Sequence, residues 1–173
     1  MSFPRERSLT LRETTTGNGT AASMLLQWSF LQGTALDTSC GTLIVNASGQ
    51  LLLCHVTGTA HWDIPKGMLD PGETPLAAAR RELFEEAGLS FDPERFQDLG
   101  RFDYRRDKRL HLFRVDAGDD LCSLDHLQCT SFFPHRVTGK DTPEVDGFRW
   151  ASRDDVRTLC WPRMAQRLLS LDW

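Results

Sequence analysis

The stretch RRELFEEAGL places Glu85 and Glu86 three and four residues beyond Glu82, so that on a helix the three carboxylates share one side. Like charges at that spacing weaken an isolated helix by about 0.2–0.5 kcal/mol per pair, and acids in a last turn also oppose the helix dipole. Two readings follow. The glutamates are solvated surface acids balanced by Arg80, Arg81 or distant lysines, or a divalent cation supplies the missing positive charge. Hard cations such as Mg²⁺ take oxygen ligands and accept one or two carboxylates, several waters and substrate phosphates. An ion so held can neutralise a pyrophosphate, orient a water and stabilise charge as a P–O bond breaks.

The helix that must carry these acids is well punctuated. Thr74 suits the N-cap, Pro75 the first helical position, and Gly88 a left-handed stop. Leu76, Ala79, Leu83 and Ala87 recur at helical spacing as one buried stripe, with the glutamates on a different face. Around it, TLIVN, the turn ASGQ and LLLCHV read as a hairpin. Further strands are expected at HWDI, FQDLGRFDYR and RLHLFRV, the last two joined across RDK, and at FRW. PRMAQRLLSL closes the chain as an amphipathic helix with Met164, Leu168 and Leu171 on its apolar side. The pattern predicts a mixed α/β domain with one helix inserted after the third strand.

At 173 residues the chain suits one domain, and its 40% hydrophobic and 25% charged residues are ordinary for a globular protein. A net charge of −4 gives no basic field, so bulk electrostatics points to neither a nucleic-acid nor a membrane partner. The five scattered cysteines include no C-x-x-C pair and favour reduced thiols over a disulfide framework. Cys122, His126 and Cys129 offer three zinc-type ligands without an obvious fourth, so thiols near a strand are the preferred reading there. Residues 1–23 read as a flexible tail and 24–173 as the domain, with Met24 an alternative start. The run MLLQWSFL is too short to span a bilayer and no signal core is visible, so the expected compartment is the cytoplasm.

Gly67, Glu73 and the run Arg81-Glu82-Leu83-Phe84-Glu85-Glu86-Ala87-Gly88-Leu89 together resemble, at every specified position, the signature of the Nudix hydrolase family. A chance match is on the order of one in ten million. The resemblance implies an α/β/α sandwich with a mixed β-sheet between helices, from about Leu36 to the end. It further implies hydrolysis of a nucleoside diphosphate linked to another group, by water attack at phosphorus, with Mg²⁺ or Mn²⁺ as cofactor. On that basis Glu82, Glu85, Glu86 and the carbonyl of Lys66 are metal ligands. Arg81 orients the glutamates and Glu73 joins the same network, simple charge balance being the alternative for Arg81. Family members often draw another carboxylate, as ligand or general base, from a distant loop. In PEVDGFRW that residue would be Glu144, with Asp146 as competitor and an ordinary solvated acid as the third reading.

The substrate is read from weaker signals. WDIPKG, containing Lys66, resembles the lead-in of diadenosine-tetraphosphate hydrolases. In the family, a tyrosine about sixteen to eighteen residues past the signature accompanies dinucleoside polyphosphates and a proline near there ADP-ribose. Tyr104 lies 15 residues after Leu89, one short, and no proline is near. Tyr104 could stack on a base while Arg105, Arg106, Lys108 and Arg109 attract a phosphate chain, or YRRDKR is a solvated basic turn. Phe132 and Phe133 offer other stacking surfaces, and His135 and Arg136 other phosphate contacts. The expectation is a dinucleoside polyphosphate or related nucleotide as substrate. An RNA 5′-pyrophosphohydrolase is the alternative, because EVDGFRW suits that subgroup, although Lys66 replaces its usual glutamine. A catalytically silent nucleotide-binding regulator is the reading of another class, and the intact signature argues against it. No membrane partner is expected, and monomer and homodimer both remain open.

Overall fold

The computed structural model describes residues 36–118 and 120–173. The expected tail at 1–23 and the apolar run from Met24 lie outside the described residues. The strands are β1 (Asp37–Asn46), β2 (Leu51–Val56), β3 (Trp62–Asp63), β4 (Lys66–Met68), β5 (Gln97–Arg105), β6 (Lys108–Gly118), β7 (Phe132–Pro134), β8 (Asp141–Pro143) and β9 (Val145–Ala151). Helices α1 (Pro75–Ala87), α2 (Arg153–Leu159) and α3 (Pro162–Leu169) complete the described elements, apart from one 3₁₀ turn at Pro93–Arg95.

β1 is buried from Ser39 to Val45, which requires cover on both of its faces. Cys40 and Ile44 join Ala78, Ala79, Leu83 and Ala87 of α1 in one core cluster. Leu43 and Val45 point the other way, into a second cluster with Val156 of α2 and Met164, Ala165 and Leu168 of α3. The sheet thus lies between helices, as the sequence implies. Its order is β3-β2-β1-β6-β5, with β4 on β1 and β9 on β2, and it is mixed because β1 and β6 run parallel while the other pairs are antiparallel.

β1 and β2 share a register only at Val45↔Leu51 and then splay apart. The segment from Trp62 to Met68 fills the wedge: Cys54 pairs with Asp63, Cys40 with Gly67, and Thr42 N–H donates to the Pro65 carbonyl at 3.0 Å. This insertion sets the signature glycine and Lys66 against α1. β4 is too short, and too centred on glycine, to announce itself as a strand.

The caps of α1 match the sequence expectation. Thr74 Oγ1 accepts from Ala77 N–H at 3.2 Å, and Gly88 adopts φ 68° while its N–H donates to the Phe84 carbonyl at 2.8 Å. One expectation and one of the two readings of the glutamates need correction. Leu76 is only partly buried and Ala78 fully so, and Glu82 and Glu86 are buried, against the reading of these acids as solvated, because the β4 segment covers their side of the helix. The β7/β8 hairpin and α2 have no counterpart in the sequence expectation. α2 is opened by a capping box, Ser152 Oγ accepting from Asp155 N–H while Asp155 accepts from Ser152 N–H at 2.9 Å. Among the described residues no three Cys, His, Asp or Glu side chains form a metal cluster, so Cys122, His126 and Cys129 make no zinc site; Cys129 instead donates to the Ser131 carbonyl at 3.3 Å. No described helix is long and apolar enough to cross a membrane.

Gly88 holds a left-handed backbone, and a Cβ there would lie 3.3 Å from the Gln128 carbonyl oxygen. Gly88→Ala should therefore cost about 1–2 kcal/mol, checked as a lower midpoint in urea with an unchanged slope.

Candidate active site

The acids of α1 are held by a single guanidinium. Arg81 Nε and Nη2 donate to the two carboxylate oxygens of Glu73 at 3.1 and 2.9 Å, and Nη1 donates to Glu82 at 2.6 Å and Glu85 at 3.3 Å. Nη2 also donates to the Met68 carbonyl at 2.8 Å, tying the helix to β4. The bond from Arg81 holds the Glu73 carboxyl below its ordinary range, and the acids in turn raise the Arg81 pKa. Gly67 is required beside this network, because a Cβ on it would fall 2.1 Å from the Glu82 carboxylate.

Glu82 and Glu86 are 8% and 7% exposed, whereas the side chain of Glu85 is 39% exposed. Burial pushes the Glu82 carboxyl up, with Arg81 opposing and Glu85 and Glu144 adding repulsion. Burial pushes Glu86 up further, to about 8, against the attraction of Lys66. Lys66 N–H donates to Glu86 Oε2 at 3.2 Å, while its ammonium pairs with Asp63 at 2.9 Å. Burial opposes the Lys66 charge, but Asp63 and Glu86 overcome it and raise its pKa.

A ladder of backbone bonds brings in the distant acid. The Glu85 carbonyl, at the open end of α1, accepts from Thr130 N–H at 2.7 Å and Ser131 N–H at 3.2 Å. The Ser131 carbonyl accepts from Glu144 N–H, and the Glu144 carbonyl from Thr57 N–H, both at 3.0 Å. Glu144 consequently lines a cleft of about 300 Å³ with Glu86, Asp63, Lys66, Phe133 and Thr57. Asp146, the competitor, is instead engaged with His55 Nδ1.

Asp63 and Lys66 also line a second cavity, of about 610 Å³, with Tyr104, Arg105, Lys108, Trp161 and Arg163. Arg105 lies over the Tyr104 ring at 5.7 Å. Arg106 is exposed at the turn and lines neither cavity, and Arg109 donates to Asp103 at 3.3 Å. His135 caps its own turn, Nδ1 accepting from Val137 and Thr138 N–H, and Arg136 and Phe132 are exposed on the β7/β8 hairpin. Asp63, Thr57, Trp161 and Arg163 are among the lining residues that the sequence did not single out. An acid three residues before Lys66 and a tryptophan just before a helix-opening proline were the available signals.

The donor set suits a hard divalent cation. Glu73, Glu82 and Glu85 gather around Arg81, Glu86 accepts from Lys66 N–H and shares a cleft with Glu144, and the Lys66 ammonium is taken by Asp63. Among the described residues no three of these side chains converge on one ion position, so an ion here would need waters or substrate oxygens to complete its shell. The sequence profile of the NUDIX domain matches residues 36–170. The chain belongs to the Nudix family. It is a pyrophosphohydrolase of that family, and Nudix hydrolases generally use divalent metals.

Similar proteins span the whole domain. An uncharacterized 17.7 kDa protein in the e-segB intergenic region of Enterobacteria phage T4 is 33% identical over 135 residues, 73% of this chain and 89% of that protein. An RNA pyrophosphohydrolase of Photobacterium profundum is 33% identical over 129 residues, 70% of this chain and 73% of that one. Among solved structures, a C. elegans Ap4A hydrolase binary complex superposes with TM-score 0.54 at 22% identity, covering 76% of this chain and 95% of that one. The Francisella tularensis bifunctional NMN adenylyltransferase/ADP ribose pyrophosphatase gives 0.60 at 16% identity, covering 87% of this chain and 45% of that one. At these identities the structures bear on the fold alone.

The raised Glu86 pKa has a definite sign for the metal-free Nudix domain. The folded state binds the proton more tightly than the unfolded chain, so this contribution to stability is full below pH 4.5 and is lost as pH rises through about 8. Glu86→Gln in EDTA should match the parent near pH 5 and exceed it at pH 8.5 by on the order of 1–3 kcal/mol, by thermal or urea denaturation, with added Mg²⁺ narrowing the gap.

Proposed function

We propose that this Nudix hydrolase cleaves a dinucleoside polyphosphate or related nucleotide, with Mg²⁺ or Mn²⁺ held by Glu82, Glu85, Glu86 and the Lys66 carbonyl, and with Glu144 serving as general base rather than as a further ligand. The observation that carries the reading is a pair of compartments of opposite character whose walls share two residues. An acidic cleft containing Glu86 and Glu144 meets a basic, aromatic-lined cavity at the shared Asp63–Lys66 pair. A substrate with a phosphate chain and a nucleoside beyond it matches that sequence of charges.

When bound, the cation supplies Lewis acidity at a phosphoryl oxygen and a water of lowered pKa. The chain's own residues do the rest. Arg81 holds Glu82 and Glu85 in place through bonds that need no rearrangement during reaction. Glu144, facing the same cleft as Glu86, takes the proton as the water oxygen bonds to phosphorus and the bridging oxygen departs with the electron pair of the broken P–O bond. Lys66, Tyr104 and Arg105 line the route of the remaining phosphates, whereas Arg106 does not line it.

A second reading, RNA 5′-pyrophosphohydrolase, is favoured by the likeness to the Photobacterium profundum protein of that name. A silent regulator is disfavoured because every signature acid is present and networked. A panel of diadenosine tetraphosphate, ADP-ribose, nucleoside triphosphates and 5′-triphosphorylated RNA, assayed with each cation, separates the readings. Diadenosine tetraphosphate should lead by at least about tenfold in kcat/KM, a difference of about 1.4 kcal/mol; a lead for RNA would reverse the order. Glu86→Gln should lower turnover by at least about 100-fold and Glu144→Gln by about 10–100-fold, both with unaltered circular dichroism. Near-normal turnover in Glu86→Gln would remove the acidic helix from the reaction.

A further inference from the structure

Trp161 is an unusual residue to find outside the core. It is 42% exposed, although its position is fixed from several directions. Cys160 bridges to Trp62 in parallel, Pro162 starts α3, and the Trp161 carbonyl accepts from Ala165 N–H at 2.8 Å. His61 stacks on the indole at 3.5 Å between ring centroids with a tilt of 32°. A large aromatic surface is thereby held rigid and still lines the 610 Å³ cavity.

The cavity also carries charge without matching counter-charge. Of its cations, only Lys66 has a carboxylate within ion-pair distance among the described residues, namely Asp63. Arg105 stacks on Tyr104, Arg163 donates to the Tyr104 carbonyl at 3.1 Å, and Lys108 has no described carboxylate at ion-pair distance. Burial lowers the Lys108 pKa, and the nearby Lys66 and Arg105 lower it further, so these cations crowd one another. An anion is the partner that would relieve the crowding. A stack on a rigid indole adds little ordering cost for a base, and every base offers a π face for such a stack.

We propose that Trp161 is a specificity-determining residue: it is the platform for a nucleobase, while Lys108 and Arg163 hold the phosphates that lead from that nucleoside to the acidic cleft. This rests on the pyrophosphohydrolase reading and extends it, because it commits the far cavity to a nucleoside rather than to bare phosphate. Substrates that end in a base on this side are selected over those that end in phosphate.

Binding separates this proposal from the hydrolytic reading. Calorimetry on the full chain would compare a methylene-bridged, non-hydrolysable diadenosine tetraphosphate with inorganic tetraphosphate. Trp161→Ala should weaken the dinucleotide at least about tenfold and leave tetraphosphate within about twofold, while Trp161→Phe retains most of the dinucleotide affinity. Lys108→Gln should weaken both ligands several-fold. In turnover, the Trp161→Ala loss should appear in KM, with kcat little changed. Unchanged dinucleotide binding in Trp161→Ala, or equal losses for both ligands, would overturn the platform. Absence of turnover by the parent protein on every nucleotide would overturn the hydrolytic reading alone, because the base-dependent difference in binding is measured without it.

Discussion

The structure depends on keeping like charges together in a place where water cannot screen them. Glu82 and Glu86 are pressed against the Trp62–Met68 segment, and the fold accepts this because Arg81 is shared among Glu73, Glu82 and Glu85 and the Lys66 backbone N–H serves Glu86. One guanidinium cannot neutralise that many carboxylates. The remaining negative potential suits a divalent ion, and Glu86 shows the cost without one: burial pushes its carboxyl up to about 8 against the attraction of Lys66, with Glu82 and Asp63 adding smaller repulsions.

The splay of β1 from β2 is what allows the arrangement. Were the two strands paired along their full length, the Trp62–Met68 segment would have no edge on which to pair, and Gly67 could not stand under the helix. In the wedge, Cys40↔Gly67 and Cys54↔Asp63 fix the segment on both sides, so that Lys66 presents its N–H to Glu86 and its ammonium to Asp63. The same pairing explains the size requirement at Gly67, where even one methyl group would collide with the Glu82 carboxylate. Backbone approach, rather than turn geometry, is the reason for that glycine.

The helix and its acids were legible in the sequence because their determinants are local: Thr74, Pro75 and Gly88 cap the helix and the apolar stripe repeats at helical spacing. The strands from Leu51, Gln97 and Lys108 were legible for the same reason. What the sequence could not supply was register between distant segments. Glu144 is brought beside Glu86 by the bonds from Glu85 to Thr130 and Ser131, from Ser131 to Glu144 and from Glu144 to Thr57, none of which has a pattern in the chain. Trp161 meets His61 across one hundred residues, so its role in a cavity wall is a tertiary fact. The burial of Glu82 and Glu86 is hidden from amphipathic reasoning, which gives a helix one core side, whereas here the β4 segment covers a second.

The division of the groove follows from electrostatics. Acids that attract a cation would repel a polyphosphate if both occupied one compartment, and cations that attract a polyphosphate would neutralise those acids. Separating them across the Asp63–Lys66 pair lets each set keep its potential, because the pair itself is nearly neutral and both of its members face both spaces. A chain of phosphates can then run from the basic wall toward the acidic cleft, where only a bound cation makes its arrival favourable. On the proposed reading the order of charges couples recognition to catalysis: an anion in the far cavity meets cations directly, whereas scissile phosphates entering the acidic cleft would meet carboxylates unless a cation lay between them.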